Sequence, residues 1–209
     1  MATRQSVGGE PAKGRELRAR GRRTLRSLLD AGVDVFAERG YHAARVDDIV
    51  KLANTSHGTF YLYFANKEDL FRALVEEVAS EMQQLADSLG PVSAKGASRE
   101  DLRVWIQQFC DLYARYGSVI RAWTEAEISN TEFGRLGEGV LGGFSVAVAA
   151  HVRSRNGQRV DSQIAALAVV AMLERLNYYV LTSQVKLDRT AMVDVLTDVT
   201  YTALFENGA

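Results

Sequence analysis

Apolar residues recur along most of the chain at the three- and four-residue spacing of an amphipathic helix. Two short helices are predicted at about 46–53 and 56–63, with Asn54-Thr55 as the turn between them and Ser56 as an N-cap. A longer helix is predicted to follow Asn66. The helix that precedes the short pair ends at a glycine, Gly40, and carries the stripe Leu25, Leu28, Leu29, Val33 and Phe36.

Helical spacing continues after the stretch 89–96, where Pro91 marks the best internal boundary. A capping box at Ser98 and Asp101 is predicted to open the first helix there, and less regular helices are predicted at 118–128 and 131–155. Asp161 is predicted to cap a helix from Ser162 to about Gln184, and Asp188 is predicted to cap the last helix. The last two are apolar on more than one face, which suggests burial against a second subunit. The pattern predicts an all-α fold of about nine helices, with an N-terminal helix-turn-helix three-helix domain and a C-terminal helical bundle.

The composition is that of a soluble globular chain, since 47% of its 209 residues are hydrophobic and 24% are charged. Cys110 is the single cysteine, which excludes an internal disulfide framework and favours a reducing compartment. The longest nearly apolar stretch, 140–150, is too short to span a bilayer, and the N-terminus shows no apolar signal-peptide block. We therefore expect a cytoplasmic protein with no membrane partner.

Charge is distributed unevenly along the chain, although the formal net charge is only −1. Residues 1–67 carry twelve Lys and Arg against seven Asp and Glu, whereas residues 68–209 carry thirteen against nineteen. A basic end on an acidic body is typical of a protein whose basic end binds a polyanion. A solubilising tail is the alternative explanation.

The two short helices and their tight turn, with a longer helix on either side, form a helix-turn-helix unit. In such a unit the first residues of the second helix reach base edges in the major groove. Here they are small or polar: Ser56, His57, Gly58 and Thr59. Phosphate contacts could come from the hydroxyl groups of Tyr61 and Tyr63 and from Lys67. Plainer roles remain open: half-buried packing for Tyr63, and an ordinary helix surface for His57 and Thr59.

Four stretches of this region match a known pattern in both order and spacing: VDVFAERGY at 33–41, DI at 48–49, SHGTFYLYF at 56–64 and NKEDL at 66–70. They resemble the N-terminal signature of the tetracycline-repressor (TetR) family of bacterial transcription regulators. The resemblance implies a homodimer that binds a roughly palindromic operator and responds to a small molecule in the C-terminal domain.

Residue by residue, the resemblance implies phosphate contacts at Tyr61 and Lys67 and groove-facing positions at Ser56, Gly58 and Thr59. It implies a small-domain core of Phe36, Ile49, Phe60 and Phe64. The Arg-rich segment that includes Arg22 and Arg23 is similar to an arm that some members lay along the DNA.

Three positions depart from the family pattern. Arg45 stands where a capping Thr or Ser is usual, which removes a cap worth about 1 kcal/mol but adds a possible phosphate contact. Asn54 replaces a turn glycine, which is tolerable because Asn adopts the left-handed region more readily than most residues. Thr55 replaces a customary valine.

The expected organisation is a flexible basic arm at 1–17, a DNA-binding domain at 18–66 and a ligand-binding and dimerisation domain at 67–209. Aromatic side chains of the C-terminal helices are candidates to line a ligand pocket, with a few polar groups among them. The candidate ligand-binding residues are Trp105, Phe109, Tyr113, Trp123, Glu127, Phe144, Asn177 and Tyr178. Ordinary core packing is the alternative for each aromatic residue.

Catalytic and cofactor motifs are not indicated by the sequence. Residues 137–142 satisfy G-x-G-x-x-G, but no strand precedes them, as a dinucleotide site requires. The three histidines and Cys110 lack metal-ligand spacing. We expect neither metal nor cofactor, and a repressor that a hydrophobic or amphipathic effector releases from its operator. The alternatives are a helical interaction protein that has lost DNA readout and, less favoured, a helical enzyme.

Overall fold

The computed structural model of the chain describes residues 19–89, 98–127, 131–156, 161–182 and 184–204. These residues form eight α-helices and no strand. The helices are α1 (Ala19–Arg39), α2 (Val46–Leu52), α3 (His57–Tyr63), α4 (Lys67–Ser88), α5 (Arg99–Glu127), α6 (Thr131–Asn156), α7 (Ser162–Leu181) and α8 (Arg189–Leu204).

The N-terminal compact unit ends at Val75, inside α4. The first turns of α4 belong to this unit because Leu70, Phe71 and Leu74 are buried, and the rings of Phe71 and Phe36 lie 6.0 Å apart. Buried aromatic and aliphatic side chains form its core as the family resemblance implied: Phe36, Ile49, Phe60 and Phe64. The expected arm at 1–17 lies outside the described residues.

Local signals in the sequence set the ends of α2 and α3. Asn54 adopts the left-handed conformation (φ 50°), as expected for a residue that replaces a turn glycine. The Ser56 hydroxyl oxygen accepts a hydrogen bond from the Thr59 backbone N–H at 3.1 Å. At α2, the Arg45 backbone N–H donates to the Asp48 carboxylate at 3.3 Å, so one half of a capping box compensates for the missing Ser or Thr.

The C-terminal unit begins at Glu76 and packs α6 against α7 and α5 against α8. Helix α5 is continuous from Arg99 to Glu127, so the predicted break before residue 118 is wrong, and the described residues form eight helices rather than nine. Gly117 lies inside α5, where a Cβ would come within 2.3 Å of a Leu181 methyl carbon. The glycine therefore permits close packing of α7 instead of ending the helix. The predicted caps at Ser98, Asp161 and Asp188 are confirmed.

Helices α6 and α7 bear on two expectations from the sequence. The G-x-G-x-x-G residues lie within α6, so they form no phosphate-binding loop between a strand and a helix. Helix α7 is long and apolar enough to cross a membrane by length and composition, whereas the sequence pattern pointed only to the shorter apolar stretch at 140–150. Only 28% of the apolar window of α7 is buried within the unit, at residues such as Ala166, Leu173 and Asn177.

Candidate nucleic-acid interface and ligand cavities

The first turn of α3 is exposed to solvent, while the side chain of Phe60 anchors the helix in the core. Phe60 is fully buried, whereas Ser56, His57 and Gly58 are exposed. Thr59 is half-buried, and its hydroxyl lies 3.0 Å from the Ser56 hydroxyl. A Cβ built on Gly58 would meet only the Ser56 hydroxyl oxygen, at 3.8 Å. The arrangement leaves the first turn of α3 open for close approach of another surface.

His57 is paired with an acidic residue of the preceding helix. Its Nε2 atom lies 2.5 Å from a carboxylate oxygen of Asp47 in α2, and both side chains are exposed. The pair ties the beginnings of α2 and α3 together. It also places one carboxylate beside the predicted groove-facing residues, which the sequence pattern alone did not indicate.

The two predicted tyrosine contacts differ in their surroundings. Tyr61 is 53% exposed. Tyr63 is half-buried, and its hydroxyl donates to the Gly21 carbonyl oxygen in α1 at 3.2 Å. This bond brings the first turn of α1, with the exposed Arg22 and Arg23, next to the end of α3.

Lys67 donates to backbone carbonyl oxygens within its own unit. Its Nζ atom lies 2.7 Å from the Tyr41 oxygen, 3.3 Å from that of His42 and 3.1 Å from that of Ala44. It also lies 4.6 Å from the centre of the Tyr41 ring. Because an ammonium group has three N–H donors, a phosphate contact would require Lys67 to give up one of these bonds. Arg45, at the start of α2, is exposed.

Three neighbouring cavities lie among the helices of the C-terminal unit. The aromatic cavity, about 290 Å³, is lined mainly by apolar side chains, among them Phe109, Tyr113, Trp123 and Phe144. The arginine cavity, about 210 Å³, is lined by Arg121, Arg175 and Tyr178 among others. The α8 cavity, about 200 Å³, includes Cys110, Asn177, Arg189 and Met192.

The predicted ligand residues are distributed over these cavities, with two exceptions. Trp105 is buried, its indole N–H donates to the Leu85 carbonyl oxygen at 2.8 Å, and its ring centroid lies 5.7 Å from that of Phe144. The side chain of Glu127 lies outside the described residues. Sequence reasoning missed Glu174 and Arg175, which line both the aromatic and the arginine cavities. A charged pair inside the otherwise apolar α7 was the signal that could have identified them.

Buried polar groups of the cavities are paired. The Tyr113 hydroxyl donates to a Glu174 carboxylate oxygen at 3.1 Å, and burial together with the Glu174 charge raises the pKa of Tyr113 far above its usual value. The Asn177 amide donates to the Leu173 carbonyl oxygen at 2.8 Å. Burial raises the pKa of the Cys110 thiol, so this cysteine is a poor nucleophile. No cluster of metal-ligating side chains occurs among the described residues.

The N-terminal unit, with its capped and exposed α3 beside a tight turn, has the helix-turn-helix arrangement, the fold class in which the second short helix can enter the major groove of DNA. Residues 28–74 match the family model described as bacterial regulatory proteins, tetR family. The N-terminal unit is therefore a tetR-family domain, as the resemblance of its motifs had indicated.

Relatives and solved structures extend this match. The fatty acid metabolism regulator protein of Bacillus subtilis is 32% identical over 118 residues, which are 56% of this chain and 60% of that protein. The fatty acid degradation regulator FadR from Bacillus halodurans is 26% identical, with a TM-score of 0.66 over 88% of this chain and 97% of that one. FadR from Bacillus subtilis, solved in complex with stearoyl-CoA, shares the fold at 24% identity, with a TM-score of 0.63 over 84% of this chain and 96% of that one.

Proposed function

We propose that the protein is a DNA-binding transcriptional regulator that acts as a cytoplasmic homodimer on a palindromic operator and is released from it by an amphipathic effector. The observation that carries the proposal is the exposed first turn of α3 on a domain of the tetR family. The proteins that this chain resembles are transcriptional regulators rather than enzymes. This chain matches only 60% of the length of the Bacillus subtilis regulator. We therefore infer DNA binding for this chain from the geometry of its own α3.

The DNA contacts divide into two groups under this proposal. Ser56, His57, Gly58 and Thr59 face base edges, and Arg22, Arg23, Arg45 and Tyr61 contact phosphates. We assign Tyr63 and Lys67 a positioning role, because both already hydrogen-bond to backbone carbonyls of the unit. Tyr63 holds α3 against α1, and Lys67 holds the segment between α1 and α2.

The chemistry of the cavities supports a fatty acyl effector with an anionic head. The aromatic cavity offers an apolar lining for an acyl chain, and Arg121 and Arg175 in the adjoining cavity offer cations for a carboxylate or phosphate. The stearoyl-CoA complex of Bacillus subtilis FadR, which shares this fold, directs the choice toward acyl-CoA. Met82 of α4 lines the aromatic cavity, and α4 is the helix in which the two units meet along the chain.

An effector would act through α4 in this mechanism. A shift of α4 would change the separation of the two recognition helices of a dimer, which must lie about 34–36 Å apart to enter successive major grooves. The effector can shift the equilibrium only by the difference between its affinities for the two conformations.

The faces of α7 and α8 that point away from the core support a homodimer through the last two helices. Ile164 and Leu167 of α7 are 66% and 44% exposed, and Val195 and Val199 of α8 are 59% and 48% exposed. Apolar side chains clustered on a surface are typical of an interface. Val195→Lys should therefore shift the protein toward monomer in sedimentation analysis. Val146→Lys, at an exposed valine of α6, is the matched control and should leave the dimer intact.

The DNA-binding proposal is tested by selecting genomic fragments with the purified protein and measuring affinity in gel-shift titrations. Gly58→Leu should abolish selection, because the added side chain holds the backbone away from the groove while its Cβ makes only an ordinary contact with the Ser56 hydroxyl oxygen, at 3.8 Å. Gly139→Leu is the matched control, since a Cβ at Gly139 meets no atom within 4 Å. Equal binding by Gly58→Leu and the unaltered protein would exclude α3 from the groove. A protein that selects no fragment supports the interaction-protein alternative.

The effector proposal is tested by adding acyl-CoA to the bound fragment. Stearoyl-CoA or a shorter acyl-CoA should release the DNA, and free CoA at the same concentration should not, because only the acyl chain can fill the aromatic cavity. Release by CoA alone would contradict an acyl-binding site.

A further inference from the structure

Tyr113 is the residue that the aromatic, arginine and α8 cavities have in common. Each cavity alone lies below or at the lower end of the range of ligand pockets, which is about 300–1,000 Å³. A long effector must therefore occupy more than one of them. The ring of Tyr113 stands at the point where they meet.

The position of the Tyr113 ring is fixed from two sides. Its hydroxyl donates to Glu174 of α7 at 3.1 Å, and its ring stacks on Phe109 with centroids 5.6 Å apart and planes at 23°. The residue is only 3% exposed. A ligand that passes from the aromatic cavity into the α8 cavity must turn this ring and break its bond to Glu174.

The cavities on the two sides of Tyr113 differ in chemistry. The aromatic cavity is lined by rings such as Trp123 and Phe144 and can surround an acyl chain. The arginine cavity places Arg121 and Arg175 where they can bind the anionic head of the same molecule. The α8 cavity is again largely apolar, with Leu181, Leu187 and Met192 in its lining, and would receive the end of a longer chain.

We infer that Tyr113 determines the chain length of the effector by closing the aromatic cavity against the α8 cavity. The inference rests on the proposed acyl effector and adds the residue that limits the length of its acyl chain. Chains that end at the Tyr113 ring bind with the bond to Glu174 intact. Longer chains gain nothing from further methylene groups unless the ring moves.

The test measures binding of a series of acyl-CoAs, from hexanoyl- to stearoyl-CoA, by the fluorescence of Trp123 and Trp105 in the full-length protein without DNA. Affinity should rise about fourfold for each methylene group buried and then stop rising where the chain reaches Tyr113. In Tyr113→Ala the rise should continue to longer chains, which favours the long over the short chain by about tenfold or more relative to the unaltered protein. Tyr113→Phe keeps the ring stacked on Phe109 but removes the bond to Glu174, so affinity should stop rising at the same chain length, with a smaller penalty for longer chains.

The control is Leu112→Ala, a truncation of the neighbouring α5 residue, which lines none of the three cavities. In Leu112→Ala, affinity should stop rising at the same chain length as in the unaltered protein. If Tyr113→Ala does not fold, Tyr113→Leu serves the same purpose with a smaller loss of volume. The inference is overturned, while acyl binding stands, if affinity stops rising at the same chain length in the unaltered protein and in the Ala or Leu variant. It is also overturned if affinity keeps rising along the whole series in both. Absence of binding along the whole series overturns the acyl effector, and the inference with it.

Discussion

The Nζ atom of Lys67 lies 2.7 Å from the carbonyl oxygen of Tyr41 and 3.1 Å from that of Ala44, so a lysine at the start of α4 closes the segment between α1 and α2. The same ammonium lies over the Tyr41 ring. These carbonyl groups lie outside the regular hydrogen bonding of the two helices. A charged donor satisfies them and thereby fixes where α2 begins relative to α1.

Lys67→Met should lower the free energy of unfolding by about 1–3 kcal/mol, because bonds to a charged donor are lost and the carbonyls are left half-buried. Urea unfolding followed by far-UV circular dichroism measures the change. Lys51→Met, at an exposed lysine of α2, is the control and should change stability by less than about 0.5 kcal/mol.

The same variants separate positioning from phosphate contact. If Lys67 positions the turn, Lys67→Met should weaken operator binding without changing the slope of log affinity against log salt. A slope shallower by about one would show that Lys67 neutralises a phosphate and would contradict its assignment as a positioning residue.

The pairing of His57 with Asp47 leads to a prediction about selectivity. Asp47→Asn removes a negative charge from the surface that faces DNA, so binding to any duplex should become tighter. It also replaces the carboxylate acceptor of His57 by a weaker, neutral amide acceptor, so the His57 ring is held less firmly and the preference for the operator over a scrambled duplex should fall. Asp34→Asn, at an exposed carboxylate of α1, is the control. An unchanged ratio of operator to scrambled affinity would show that the pair has no part in base recognition.

The local features of this fold were predictable because short-range signals encode them. Ser56 and Asn66 precede helices and bond to backbone N–H groups three residues on, as their residue types indicate. The left-handed Asn54 follows from its place in a tight turn. The buried core of the N-terminal unit followed from apolar spacing and from the family resemblance.

Features that depend on residues distant in sequence were not predictable in this way. The sequence suggests phosphate contacts for Lys67 and Tyr63, but nothing near them in the chain indicates their hydrogen bonds to the carbonyl oxygens of Tyr41 and Gly21. Separate helices were predicted before and after residue 117, since nothing in the local sequence shows that Leu181 packs against Gly117 within one continuous helix. A residue's partners across a helix bundle depend on packing that spacing along one helix does not specify.

Glycine substitutions should separate close packing from open space. Gly32 of α1 is buried, and a Cβ there would lie 2.6 Å from a methyl carbon of the fully buried Leu70. Gly32→Ala should therefore destabilise the protein by about 1–3 kcal/mol. Gly142→Ala, within α6, meets no atom within 4 Å and should stabilise it by about 0.5–1 kcal/mol through helix propensity. Thermal unfolding compares the two, and stabilisation by Gly32→Ala would contradict the packing of α1 on α4.

Tyr116 offers a test of a buried polar cluster in the C-terminal unit. Its hydroxyl lies 2.5 Å from a carboxylate oxygen of Glu77 and 2.7 Å from one of Glu81, and the residue is fully buried. Tyr116→Phe should lower the free energy of unfolding by about 1–3 kcal/mol, because both carboxylates lose this partner. Tyr61→Phe, at an exposed tyrosine, is the control and should have little effect on stability.

The contribution of the Tyr116 hydroxyl should depend on pH in the alkaline range. Burial and the two carboxylates raise the pKa of Tyr116 above its ordinary value of about 10. Above that pH the unfolded chain loses the phenolic proton while the folded chain keeps it, so stability falls as pH rises. The difference in unfolding free energy between the unaltered protein and Tyr116→Phe should therefore be constant from neutral pH to about pH 9 and shrink above about pH 10. A difference that grows with pH would mean that the folded protein holds the phenolate, which the neighbouring carboxylates oppose.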